Sequence, residues 1–150
     1  MRFAICTSIL LLIACSPYRG LRKQTITYDG GSKTIYVPKK FERRQPVYDS
    51  LSKPIAGEVF DYGQGRTVYF VQLPDTTSFY QTVDTTRHIP VVHPSGARMY
   101  KRIDRAGRYW REVVQGRMRY GYTDVSFDDQ IKFDTAVNSA ITPRKRRGLF

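Results

Sequence analysis

Arg108-Tyr109-Trp110-Arg111-Glu112-Val113-Val114, then Gln115-Gly116, then Arg117-Met118-Arg119-Tyr120-Gly121-Tyr122-Thr123-Asp124-Val125 is the stretch that decides the fold. Two runs rich in aromatic and β-branched residues meet at a glycine-containing turn, the pattern of a β-hairpin. Side chains alternate across a strand, so Tyr109, Arg111 and Val113 share one face and Trp110, Glu112 and Val114 the other. Both faces mix apolar and charged residues, which predicts an edge strand or a barrel rim rather than a buried central strand.

The same composition extends upstream. From Thr34 to Val125 the chain is rich in Val, Ile, Tyr, Phe and Thr, interrupted by Gly, Pro, Asp and Ser. Strands are predicted at Thr34–Val37, Gln45–Tyr48, Ile55–Tyr62, Thr67–Leu73, Tyr80–Val83, Ala97–Asp104, Tyr109–Val114 and Met118–Val125. Short runs separated by turn residues indicate a barrel or sandwich and not a βαβ unit. Downstream the period changes: Ser126 offers an N-cap, Asp129 an acidic first turn, and Ile131, Phe133, Val137, Ala140 and Ile141 a loose apolar stripe. A short helix is expected over 126–142, stopped by Pro143, with a basic tail over 143–150.

The other end carries an address. Phe3 to Ala14 is an apolar run behind a single cation, Arg2, too short to span a bilayer as a mature helix, for which about 20 residues are needed. It closes on Leu12-Ile13-Ala14-Cys15, which closely resembles the lipobox of bacterial lipoproteins, where a peptidase cuts before a cysteine whose sulfur has received a diacylglycerol. The resemblance implies a signal peptide over 1–14 and a mature chain that starts at Cys15 and carries lipid there. Ser16 stands where some bacteria place the Asp of inner-membrane retention, which points to the outer membrane facing the periplasm. Residues 15–33, with Pro, Gly and basic residues and no sustained apolar period, are expected to be a flexible tether. A strand at Gln24 to Tyr28 and a turn at Gly30-Gly31 would fit within it.

Charge and cysteine usage bound the function. With 25 Lys+Arg against 13 Asp+Glu, the net charge of +12 draws the chain to anionic surfaces by a force that salt screens. Of the two cysteines, Cys6 lies in the segment expected to be removed and Cys15 would be acylated, so neither a disulfide, a thiolate nucleophile nor a zinc cluster is expected. His88 and His93 flank Pro90-Val91-Val92 on a looped stretch and read as solvated bystanders. Asp128-Asp129 are explained by helix capping, and Glu112 by a cross-strand ion pair with Arg117 or Arg119. No carboxylate pair of the kind a wall-cleaving glycosidase needs stands out, so the chain reads as a non-enzyme without cofactor, metal or small-molecule substrate.

A second resemblance covers the folded part. Gly107 to Gly116, followed by Tyr120-Gly121-Tyr122-Thr123-Asp124-Val125, is similar to the closing signature of bacterial SH3-like domains, which runs Gly, Trp, Val, Gly, then Gly-Tyr-Val. Pro46 to Gly57 resembles the family's opening, although Thr123 stands where the final Val would be and the spacing between the pieces is longer. The resemblance implies a mainly β chain. A small SH3-like barrel over 34–125, with residues 74–96 as an enlarged loop, would be followed by the short C-terminal helix.

Between Arg98 and Arg119 lie eight cations and two anions, interleaved with Tyr100, Tyr109, Trp110 and Tyr120. Flat aromatics beside arginines stack on sugars or peptides and pair with carboxylate or phosphate. Tyr109, Trp110, Arg111, Arg117, Arg119, Tyr120 and Tyr122 are therefore the expected partner-binding residues. The same mixture suits single-stranded nucleic acid, but export by the lipobox route removes that partner. The expectation is a non-catalytic, lipid-anchored envelope protein that binds peptidoglycan or a protein. One alternative is an accessory lipoprotein of a trans-envelope secretion, conjugation or motility apparatus. Another, of a different class, is a wall-modifying enzyme or its inhibitor.

Overall fold

The computed structural model describes residues 18–49, 51–74, 79 and 90–141. Cys15, the strand expected at Tyr80–Val83, His88, Pro143 and the basic tail lie outside the described residues. The described part is mainly β, with one helix at its C-terminal end.

Strand β1 (Leu21–Tyr28) pairs antiparallel with β2 (Gly31–Pro38) through the two-residue turn Asp29-Gly30. Gly30 takes φ +95, a conformation that costs a glycine little and favours a tight reversal. The flexible tether expected over 15–33 is thus corrected from Leu21 onward. The segment has no sustained apolar period, but the strand and turn expected within it form, and Ile26 is fully buried in one cluster with Ile35 and Val37 of the hairpin.

The remaining strands are β3 (Arg43–Tyr48), β4 (Pro54–Asp61), β5 (Thr67–Gln72), β6 (Val91–Val92), β7 (Arg98–Ile103), β8 (Tyr109–Gln115) and β9 (Met118–Val125). They form one antiparallel sheet in the order β3-β4-β5-β9-β8-β7-β6. The sheet is open, with β3 and β6 as its edges, and does not close into a barrel. β8 lies inside it, between β9 and β7, which corrects the expectation of an edge or rim strand.

Two irregularities keep the apolar residues on their faces. The register between β8 and β9 shifts where Asp124, at φ +56, adds one residue, so Val125 points into the same core as Tyr122 despite their odd spacing. The second shift lies between β3 and β4, at Pro46/Val47. Nearby on β4, Gly57 sits at φ +125 where a Cβ would come 2.2 Å from the Phe70 carbonyl oxygen, so only glycine fits.

Helix α1 (Phe127–Ala140) starts after Ser126, whose side chain makes no cap bond to the helix backbone; Asp128 and Asp129 supply the acidic first turn. It lies with the β1–β2 hairpin on one face of the sheet. Phe133, Val137 and Ala140 meet Ile26, Ile35 and Val37 of the hairpin and Phe60, Val68, Phe70, Val113, Tyr120 and Tyr122 of the sheet. Rings interlock edge to face, with Tyr62–Phe133 centroids at 5.1 Å and Tyr122–Phe133 at 5.9 Å. Each such side chain removed from water contributes about 1.5–3 kcal/mol. The opposite face buries a smaller cluster of Val47, Tyr69, Val71 and Leu73, with Phe79 packed against it.

Candidate binding surface

Because both faces of the central strands are covered, the charges that alternate along β8 are buried on opposite sides of the sheet. Arg111 turns toward α1, where Asp134 Oδ1 accepts from it at 2.6 Å and Asn138 Oδ1 at 2.7 Å. Asp134 and Asn138 are one helical turn apart and so face the same guanidinium. Tyr122 donates to the same Asp134 oxygen at 3.1 Å. Burial first, and the Asp134 carboxylate second, raise the Tyr122 hydroxyl well above the ordinary tyrosine range. Lys101 reaches Asp134 Oδ2 at 3.5 Å from the rim.

Glu112 points the other way and is fully buried. Its Oε2 accepts from the Tyr69 hydroxyl at 2.8 Å and from the Phe79 backbone N–H at 3.1 Å. Gly121, its neighbour across β9, has no room for a side chain, since a Cβ would lie 2.2 Å from the Tyr69 oxygen. Arg119, on the same face, donates to the carbonyls of Gly116 and Met118, each at 2.9 Å. Arg117 turns to the Leu73 carbonyl at 3.2 Å and to Asp29 at 3.8 Å.

The expected partner-binding set is therefore divided. Arg111, Arg119, Tyr120 and Tyr122 are interior side chains, at most 3% exposed, and no partner reaches them in this fold. Tyr120 packs on Phe70 at 6.1 Å with the Lys33 ammonium 5.3 Å from its ring, and burial raises its pKa to about 12. Their burial corrects the reading of these four residues as contacts. Arg117 is exposed, and Tyr109 and Trp110 are half-buried. Tyr109 leans on the exposed Phe127 ring at 6.2 Å, on the helix side.

Trp110 carries the strongest remaining signal. It packs against Tyr100 and Val114 on the sheet face away from α1, and its indole N–H is enclosed with no hydrogen-bond partner among the described residues. A buried donor left unmade costs about 1–3 kcal/mol, so the N–H is a cost of the fold and the ring is what Trp110 offers a partner. Arg102 stands directly opposite it in β7, and Arg98 opposite Val114. Both arginines are exposed, as is Arg105 in the following turn, and none of the three is ion-paired among the described residues. β6 pairs only with Arg98 and Met99, so Tyr100 to Ile103 pair through β8 alone among the described strands. The ledge is thus a half-buried indole plane, backed by Tyr100, with exposed guanidinium groups that have no ion pair among the described residues, beside a strand edge that no described strand covers.

The other chemical candidates serve the fold. His93 Nδ1 accepts from the Ser95 backbone N–H at 3.1 Å and so builds the turn into β7. Asp129 pairs with Lys132 at 3.2 Å and Arg66 at 3.5 Å. Among the described residues no group of three or more His, Cys, Asp or Glu is placed to hold a metal ion. Comparisons with family models, curated proteins and solved structures return no match for this chain.

Proposed function

We propose that this is a lipid-anchored cell-envelope protein that binds a partner and does not catalyse a reaction, with the Trp110 ledge as its contact surface. The observation that carries the reading is the half-buried Trp110 ring with the exposed Arg98 and Arg102 beside it on β7, neither of them ion-paired among the described residues. An indole plane with guanidinium groups at its side fits a sugar ring or peptide bearing carboxylates, as in peptidoglycan stems. The antiparallel β7-β8-β9 run with its glycine turn supports keeping the SH3-like likeness, although here the sheet stays open. Anchoring rests on Leu12-Ile13-Ala14-Cys15 and the apolar run before it, and Ser16 favours the outer membrane facing the periplasm.

The edge of β7 at Tyr100–Ile103, which no described strand covers, favours a second reading, an accessory subunit of a trans-envelope apparatus. A strand from a neighbouring subunit would add to Tyr100–Ile103 by main-chain hydrogen bonds.

Sedimentation of the detergent-solubilised full chain with purified sacculi tests the first reading. Retention at low salt that falls at least about tenfold in Arg98→Glu/Arg102→Glu is expected for two lost carboxylate contacts. Sacculi that retain nothing, together with a photo-crosslinker at position 102 that captures one envelope protein in cells, transfer the ledge to the subunit reading. Muropeptides released during the incubation would overturn the non-catalytic assignment.

A further inference from the structure

The turn that leads into β1 is fixed by contacts. Tyr18 stacks on Tyr36 with centroids 3.9 Å apart, its carbonyl accepts from Leu21 N–H at 2.9 Å, and Gly20 O accepts from Lys39 N–H at 3.1 Å. The hairpin holds this segment against α1, since a Cβ on Gly20 would lie 3.8 Å from Lys132 Cε. Cys15 is three residues before Tyr18, and three residues reach at most about 11 Å. A lipid on Cys15 would therefore enter its membrane close to this corner of the domain.

The same corner is basic. Arg19 lies in the entry turn, Lys39 and Lys40 follow the end of β2 beside Gly20, and Arg22 and Lys23 stand opposite Val37 and Tyr36 across the hairpin. All five are exposed, and none is ion-paired among the described residues. Lys132 adds a sixth cation, shared with Asp129, and the nearest acid in sequence to the collar is the exposed Glu42. A reach of about 11 Å is close to the Debye length of about 8 Å at physiological salt, so these charges would work within range of head-group phosphates.

We propose that Arg19, Arg22, Lys23, Lys39 and Lys40 form a collar that binds anionic phospholipid head groups around the anchor point. The hairpin corner is thereby turned to the bilayer. This rests on the acylation of Cys15. The collar removes the rotational freedom that a single attachment point leaves, and membrane binding strengthens several-fold with each cation near a charged surface.

The test uses the full chain as purified from cells that export it, reconstituted into vesicles of phosphatidylcholine alone or with phosphatidylglycerol. Amine acetylation at limited reagent, read by mass spectrometry, is expected to be at least about threefold slower at Lys23, Lys39 and Lys40 in the anionic vesicles. The difference should vanish in high salt. Lys53, exposed beyond the far end of β3, should react equally in both. Labelled palmitate incorporation, with loss in Cys15→Ser, reports the anchor separately. An acylated protein whose collar lysines react at equal rates in both vesicles overturns the collar alone. A chain that takes no palmitate overturns the anchor and the orientation with it.

Discussion

Arg111 of β8 and Asp134 of α1 meet at 2.6 Å with the arginine side chain almost wholly out of water, so the helix is joined to the sheet by an ion pair as well as by apolar contact. Breaking such a pair from one side leaves a charge buried without its partner, which costs about 3–5 kcal/mol, while replacing both members with apolar residues is often close to neutral. Asp134→Ala should therefore lower unfolding stability in urea by about 3 kcal/mol. Arg111→Met with Asp134→Leu should recover most of that loss. A single variant that unfolds at the parental midpoint would show that the pair does not hold α1 in place.

The buried Glu112 predicts a steric result. A Cβ at Gly121 would lie 2.2 Å from the Tyr69 oxygen and 2.4 Å from the Arg111 carbonyl. Either the Tyr69–Glu112 bond breaks or the β8–β9 ladder opens. Gly121→Ala should cost about 1–3 kcal/mol, as overpacking does. Gly116→Ala, where nothing lies within 4 Å, would meet only the strain of φ +59 and should cost less. Parallel thermal melts of the two variants decide it, and equal costs would place Tyr69 in a looser site.

Strand positions were legible because alternation and turn residues are local: Thr67–Gln72, Tyr109–Gln115 and Met118–Val125 form close to where their patterns put them. What covers each face was not legible. The charges on β8 looked like an exposed rim, since their partners stand far off in sequence, Asp134 on a helix and Tyr69 on another strand. The one local clue was the adjacent pair Val113-Val114, which puts an apolar side chain on each face in succession, as a strand covered on both sides does. At the candidate site, Trp110 kept its predicted exposure in part. The four interior residues did not, because an aromatic-rich strand reads alike whether it faces a partner or its own core.

The helix shows the same limit and gives a sharp contrast. Ile131 and Phe133 were grouped in one stripe, but residues two apart on a helix lie about 200° around its axis. The structure buries Phe133 to 2% exposure and leaves Ile131 81% exposed. Phe133→Ala should lose about 3–5 kcal/mol, whereas Ile131→Lys should stay within about 0.5 kcal/mol of the parent. Urea titrations compare them directly. A large loss at Ile131 would mean that its face is covered in solution by another surface.

Three of the buried tyrosines lower stability at alkaline pH. Burial raises Tyr62, Tyr120 and Tyr122, with Tyr120 at about 12, while an unfolded tyrosine ionises near 10. Between those values the unfolded chain binds fewer protons than the folded one, so stability is intact below about 10 and falls as pH rises through about 12. Two pKa units at Tyr120 correspond to about 3 kcal/mol. Lys33 works against this: burial lowers its pKa, so the unfolded chain keeps that proton to higher pH and the folded state gains as pH approaches the ordinary lysine value. The tyrosines outnumber it, and a net fall is expected. Tyr120→Phe should narrow the gap between urea stability at pH 7 and at pH 11, and a gap as wide as the parent's would remove Tyr120 from the account.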